Sequence, residues 1–324
     1  MKAAIYKTYG PPGVVAVAEV PMPQPKPDEV LIRIRASTVS TADWRARSLA
    51  MPAGFGPLAR PVFGFLGPRQ PILGTELAGE VVAVGAAVTR FKVGEQVFAF
   101  TGAKYGCHAE YRVMRQTGLI LQKPATLSHE EAAALCFGGT TALHFLHAKG
   151  GIRRGDSVLI VGASGCIGTA AVQLAKEAGA CVTGVCSTAN LGLVRRIGAD
   201  AVIDHTAQDI TALGQSYDII LDTTGTAPYA RCGHLLNPGG RLLIAQGTLA
   251  AALGLGGPSR SSGHRSVAGV AKVTLDDLRT LAGFAASGAF RPVIDRAYPL
   301  ECVAEAHACV DGGHKRGSVV LTMA

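Results

Sequence analysis

The sequence has no Cys-x-x-Cys pair; its eight cysteines, at positions 107, 136, 166, 181, 186, 232, 302 and 309, are scattered. That spacing excludes a zinc ribbon and a thioredoxin-type redox motif, and leaves reduced thiols in a cytoplasmic chain as the expectation. Charge is sparse, with 17% charged against 48% hydrophobic residues and a mean hydropathy of +0.28. A disordered polyelectrolyte is therefore excluded, because this much apolar surface offsets the entropy of ordering the chain. No apolar core of signal-peptide length opens the sequence, and the uncharged stretch Ser157–Ala175 is broken by three glycines. It is expected to form strand, turn and helix, so no membrane partner is expected. No internal repeat of solenoid period is visible.

What the sequence does have is length. Its 324 residues, at roughly 150 per domain, suggest two domains, each with its own core. The 41 glycines and 17 prolines show no period, which points to many turns rather than collagen or a linker. Acidic residues are outnumbered, 31 Lys and Arg facing 23 Asp and Glu, for a net charge of +8. Only Arg153-Arg154, Arg195-Arg196 and Lys315-Arg316 adjoin, so the excess is expected to solvate the surface. With no surface that interleaves aromatic and basic residues, nucleic acid is not an expected partner.

Residues 1–122 are β-rich, with runs such as Val30–Arg35, Glu80–Val84 and Gln96–Phe100 separated by Gly, Pro and Asp turns. The segment Ala50–Pro71 is too irregular to suggest an element, and Phe55, Phe63 and Phe65 within it are expected to pack over a pocket or in the core. From residue 123 short apolar runs alternate with stretches of helix length; Ser157–Val161, Cys181–Cys186, Ala201–Ile203, Asp218–Leu221 and Arg241–Ala245 are expected buried strands. Repeated strand–helix–strand units predict an α/β fold with a doubly wound parallel sheet over 123–290. The tail 291–324, with a helix near Leu300–Val310 and a terminal strand, is expected to return to the first domain.

The strongest chemical signal is Gly162-Ala163-Ser164-Gly165-Cys166-Ile167-Gly168, a glycine turn between a buried strand and a helix. Glycines there let the backbone approach a pyrophosphate, whose oxygens the amides at the helix start would hold. The next strand ends in Cys186-Ser187-Thr188-Ala189-Asn190, without the carboxylate that usually binds the ribose of NAD. Ser187 and Asn190 could bond a 2′-phosphate and Arg195 or Arg196 could add charge, which predicts NADP(H) as cofactor.

With the turn, the segments 71–100, 105–113, 127–143, 198–205, 218–225, 237–243 and 313–321 resemble the medium-chain dehydrogenase/reductase superfamily, in its zinc-independent quinone oxidoreductase branch. The resemblance implies a GroES-like domain built from 1–122 and 291–324, a Rossmann domain between, and a cofactor cleft where they meet. It further implies that Thr141, Thr223, Thr224, Gly225, Gln246 and Gly247 contact the cofactor. His205 would face the adenosine phosphate, or be an ordinary surface histidine. His314, Lys315, Arg316 and Gly317 would reach back to the cofactor, or form a solvated turn. Homodimers are common among such proteins.

Zinc members of the superfamily use Cys or Asp and His ligands, whereas the aligned residues here are Ser40 and Thr75-Glu76. Hydroxyls are poor zinc ligands and Cys107 is the lone cysteine before residue 136, so no metal is expected. The implied reaction is hydride transfer from NADPH to a quinone or related conjugated carbonyl. The segment 38–47 would lie beside the nicotinamide, with Ser40 bonding carboxamide or substrate, Asp43 orienting backbone or ribose, and Trp44 as an apolar wall. Asp43 as a cap and Trp44 as core are the alternatives. Reduction of simple ketones or aldehydes, and a non-catalytic NADPH-binding protein of crystallin or RNA-binding type, are the competing functions.

Overall fold

The computed structural model describes residues 1–212 and 214–324, which divide into two units. Unit 1 comprises Met1–Met51, Gly56–Phe137 and Thr274–Ala324; unit 2 comprises Pro52–Phe55 and Gly138–Val273. The chain opens with the antiparallel pair β1 (Lys2–Ile5) and β2 (Ala16–Glu19). Strand β3 (Glu29–Val39) leads into α1 (Thr41–Ser48), followed by α2 (Gly56–Phe63). Strands β4 (Glu76–Val84), β5 (Gln96–Phe100), β6 (Tyr111–Arg115) and β7 (Ile120–Gln122) precede α3 (His129–Ala134) and α4 (Cys136–Leu143). The unit boundary falls inside α4.

The second unit alternates strands and helices: β8 (Ser157–Val161), α5 (Cys166–Glu177), β9 (Cys181–Cys186), α6 (Leu191–Arg196), β10 (Ala201–Asp204), β11 (Tyr217–Asp222), α7 (Tyr229–Cys232), β12 (Leu236–Ile244), α8 (Leu249–Ala252) and β13 (Arg265–Ala268). The chain then rejoins unit 1 through α9 (Leu275–Ser287), β14 (Ile294–Pro299), α10 (Val303–Asp311) and β15 (Ser318–Thr322).

In unit 1, β3 is the spine of the larger sheet. Its first half pairs with β6, its second half with β15, and β4 lies along its other edge. Nearly every β3 residue is buried, because neighbours cover both faces and Ile32, Ile34 and Val39 fill the core with Leu77, Val97 and Val319. The antiparallel register Val319↔Val39 returns the C-terminus to the N-terminal sheet.

In unit 2, the strand order β10-β9-β8-β11-β12-β13 is all parallel, the doubly wound arrangement. The apolar runs Val158–Val161 and Ile219–Leu221 occupy its centre, which is why they carry no alternation. A GroES-like β-rich body joined to a Rossmann-like sheet is the α/β fold expected.

Three details differ from expectation. The segment Ala50–Pro71 does contain an element, α2: Pro57 suits its first turn, and although Pro61 removes a ladder bond, Ala59 is buried and Phe63 packs on the unit 1 core. The stretch 123–137 and α9 cluster with unit 1 rather than with the parallel sheet, held by Arg291–Glu131 and by Thr126 Oγ1 donating to the Ala285 carbonyl at 3.4 Å. Finally, the glycine-rich stretch beyond β12 supplies an edge strand, β13, too short to leave a periodic signature.

Candidate functional site

The turn after β8 is shaped by three glycines with three different reasons. Gly162 has φ +81°, and a Cβ there would lie 2.5 Å from Thr223 Oγ1. At Gly168 a Cβ would come within 2.1 Å of the Gly162 carbonyl oxygen, so glycine is needed for α5 to pack on its own turn. Gly165 has neither reason: its φ of −77° suits any residue, and the nearest atom to a Cβ is 3.6 Å away. As N-cap it offers no side chain to the first-turn amides of α5. Gly165 thus places no side chain of its own in front of the helix N–H groups, as a phosphate cradle requires. The residues present therefore fit the pyrophosphate of a dinucleotide.

Next to the turn, the end of β9 is tied in by Asn190. This nearly buried amide donates to Ser164 Oγ at 3.2 Å and Ser187 Oγ at 3.1 Å, while its own Oδ1 is buried without a partner. Burial pushes the neighbouring Cys186 thiol up to about 11, with the charge of Asp204 adding to the rise and that of exposed Arg195 opposing it. Arg196 instead lies over its own helix, its Nη1 3.5 Å from where a Gly192 Cβ would be. Sequence reasoning missed a carboxylate one strand over: Asp204, paired with Cys186, accepts from the Thr188 and Thr206 hydroxyls and the Thr206 amide. These bonds hold its carboxyl below its ordinary range. His205 is exposed and continues the pairing through its amide, which donates to the Cys186 carbonyl.

The loop after β11 was expected to touch the cofactor, and a residue outside that expectation builds it. Buried Asp222 accepts from the amides of Thr224, Gly225 and Ala227 and from Thr224 Oγ1, each at 2.9 Å. Thr223 Oγ1 donates to the Val161 carbonyl at 2.8 Å. Gly225 has φ +81°, and its Cβ would lie 2.9 Å from the Gln246 carbonyl oxygen, so Gln246 and Gly247 after β12 sit beside it. Thr141 belongs to α4, whose Gly138 abuts the turn, a Cβ there lying 2.5 Å from the Cys166 oxygen. These residues meet at the C-terminal ends of the parallel strands, where such sheets bind ligands.

The other expected residues belong to unit 1. Ser40 caps α1, and Asp43 Oδ2 accepts from its amide at 2.8 Å and its hydroxyl at 2.6 Å while Oδ1 accepts from the Gly74 amide at 2.7 Å. Asp43 is thus a buried capping residue that also fixes the entry to β4. Trp44 is partly buried against the core. Phe63 joins the same core, whereas Phe65 is exposed and Phe55 lies in unit 2. His314 and Arg316 are exposed; Lys315 donates to the Gly317 carbonyl at 2.7 Å, and Gly317 has φ +70°, where its Cβ would strike the Val293 oxygen at 2.1 Å.

A second missed group is Glu76, which is buried and accepts from Thr38 Oγ1 and the Phe137 amide. Burial pushes its carboxyl up to about 8 against those two hydrogen bonds; Asp43 adds to the rise and Lys315 opposes it. On the far side of Thr38, His108 Nε2 donates to the Thr38 carbonyl at 2.9 Å, and its ring meets buried His307 edge-on at 5.7 Å. A zinc ion does not fit this place. Ser40 Oγ is committed to Asp43, Glu76 to Thr38 and Phe137, and Thr75 offers a neutral hydroxyl. Among the described residues no three His, Cys, Asp or Glu side chains gather in metal-binding positions.

A glycine turn whose residues fit a phosphate, on a doubly wound sheet and joined to a GroES-like β body, is the arrangement of nucleotide-dependent dehydrogenases and reductases. Residues 26–125 match the family described as alcohol dehydrogenase GroES-like domain, and 197–321 the family described as zinc-binding dehydrogenase. A quinone-oxidoreductase homolog of Spinacia oleracea chloroplasts is 30% identical over 99% of this chain and 98% of its own length. An NADPH-dependent alkenal/one oxidoreductase of Arabidopsis thaliana chloroplasts is 31% identical over 99% of this chain and 79% of its own. The quinone oxidoreductase structure from Coxiella burnetii superposes with a TM-score of 0.87 at 26% identity, covering 99% of each chain. The chain belongs to the medium-chain dehydrogenase/reductase superfamily, in its quinone-oxidoreductase-like branch, and is an oxidoreductase that uses a nicotinamide cofactor.

Proposed function

We propose that the protein is an NADPH-dependent reductase of quinones or related conjugated carbonyls that works without a metal ion. The observation that carries this is the glycine at the α5 N-cap, with Ser187 and Asn190 tied beside it, Arg195 on the helix that follows, and the nearest carboxylate, Asp204, already committed to Thr188 and Thr206. When bound, the reduced nicotinamide supplies a hydride from its C4. The first-turn amides of α5 hold the pyrophosphate, and Ser187, Asn190 and Arg195 bond the 2′-phosphate. Ser40 Oγ spends its proton on Asp43, so toward a ligand it is an acceptor. That suits the carboxamide N–H of the nicotinamide better than a substrate carbonyl. The donor set at Ser40, Thr75 and Glu76 supports chemistry without zinc.

The eight free thiols suit a reducing compartment such as the cytoplasm, and the β13 edge of the parallel sheet suits a homodimer contact. The test is steady-state oxidation of NADPH across a panel of quinones, enones, ketones and aldehydes. Turnover of quinones or enones supports the reading. Preference for simple ketones or aldehydes would make it an alcohol dehydrogenase-like reductase, and tight NADPH binding without turnover a binding protein.

A further inference from the structure

The segment 56–70 carries an apolar tip that the fold holds outward. Helix α2 turns Ala59 and Phe63 inward, which leaves Leu58 and Val62, one turn apart, 51% and 61% exposed. Beyond the helix, Phe65 is 62% exposed and Leu66 fully so. This tip is fastened: Tyr9 Oη donates to the Gly64 carbonyl at 2.9 Å, Arg60 Nη1 to the Phe65 carbonyl at 2.7 Å, and the Arg69 amide to the Phe63 carbonyl at 2.8 Å. Gly64, at φ +131°, closes the bend so tightly that a Cβ would lie 2.0 Å from the Gly67 oxygen. Holding large apolar side chains in water is unfavourable, so a built tip of this kind calls for something to cover it.

Its rim carries one sign of charge. Exposed Arg60 lies over the Tyr9 ring at 5.9 Å, and Arg69 is also exposed. Lys7 adjoins the bend, its carbonyl oxygen 3.0 Å from where a Gly67 Cβ would be, and the Lys104 carbonyl accepts from Gln70 Nε2 at 3.1 Å. No aspartate or glutamate occurs from residue 44 through residue 75. A second copy of this chain would bring the same cations against this rim, which disfavours self-association. An anionic bilayer surface offers an apolar layer for the tip and negative headgroups for the rim.

We propose that the α2 tip, with apolar Leu58, Val62, Phe65 and Leu66, the exposed cations Arg60 and Arg69 on the same segment, and exposed Lys7 and Lys104 on the chain segments beside it, docks the protein peripherally on anionic lipid surfaces. No described helix is long and apolar enough to cross a membrane, and docking of this kind needs none.

The experiment is co-sedimentation of the full chain with vesicles of phosphatidylcholine containing about one third phosphatidylglycerol, against vesicles of phosphatidylcholine alone. Expected is binding to the anionic vesicles only, reversed by salt. Arg69→Gln should weaken binding roughly fivefold, and Val62→Ser with Leu66→Ser at least about tenfold. Both apolar sites are more than half exposed, so equal thermal midpoints of parent and variant are expected and are measured alongside. Absence of binding to anionic vesicles, equal binding to both vesicle types, or binding unchanged by the Ser substitutions would overturn the proposal. So would a dimer, detected by light scattering, that the same substitutions dissociate.

Discussion

Asn190 donates from its side-chain amide to Ser164 Oγ at 3.2 Å, so the phosphate turn and the end of the neighbouring strand are held as one piece. The same amide group reaches Ser187, the residue proposed to meet a 2′-phosphate. Asn190→Ala removes both hydrogen bonds, each worth about 1 kcal/mol. The expected outcome is an NADPH dissociation constant raised roughly tenfold, measured by nicotinamide fluorescence, with NADH binding changed less.

Of the adjacent pair Arg195 and Arg196, it is the charge of Arg195 that opposes the rise at Cys186, while Arg196 Nη1 lies near Gly192 on its own helix. Arg195→Gln should weaken NADPH binding roughly fivefold at low salt, while Arg196→Gln leaves it near the parent value. A titration of both variants with NADPH and NADH checks this. Equal effects of the two substitutions would remove Arg195 from the coenzyme site.

Glu76 keeps its proton in the folded chain up to about pH 8, whereas in the unfolded chain it releases it near its ordinary value of 4.5. Between those values the unfolded state binds fewer protons, so this group makes stability fall as pH rises through the window. Glutamine mimics the protonated acid, able to accept from the Phe137 amide and donate to Thr38. The thermal midpoint of Glu76→Gln should therefore exceed that of the parent increasingly as pH rises from about 5 to about 8. Midpoints that stay parallel across the range would show that Glu76 is ionised in the fold.

Asp222 is the acceptor for three loop amides. Asp222→Ala leaves those donors without it, at about 1–3 kcal/mol for each that stays buried. Unfolding in urea should show a loss of about 3 kcal/mol or more, and Asp222→Asn, which keeps one acceptor oxygen, a smaller one. NADPH affinity should fall in both, because the loop carrying Thr224 and Gly225 loses its frame.

Much of unit 2 was legible in the sequence because its strands are buried on both faces and its glycine turn has a fixed order of strand, turn and helix. Asn190 was legible as a polar residue at the strand end, but its role as a tie was not, since hydrogen bonds between loops leave no local pattern. α2 was hidden by Pro61, and β13 by its glycine-rich approach. Asp43 followed the Ser-x-x-Asp capping signal, which offered a structural role from the start. Glu76 and His108 were not legible as partners of Thr38: that arrangement depends on β3 pairing with β4, and on His108 approaching through the bend at Gly74.

In the proposed function, the N-cap of α5 at Gly165 receives a pyrophosphate. Its most direct test is the NADPH affinity of Gly165→Ala beside that of the parent, with thermal midpoints for both and for Gly168→Ala. The new methyl at residue 165 meets nothing in the chain nearer than 3.6 Å, whereas at 168 it would come within 2.1 Å of the Gly162 oxygen. Expected are a parent that binds NADPH, a Gly165→Ala chain that folds equally well and binds it at least about tenfold more weakly, and a destabilised Gly168→Ala chain. A parent that binds neither NADPH nor NADH, or a Gly165→Ala chain that binds as tightly as the parent, would contradict it.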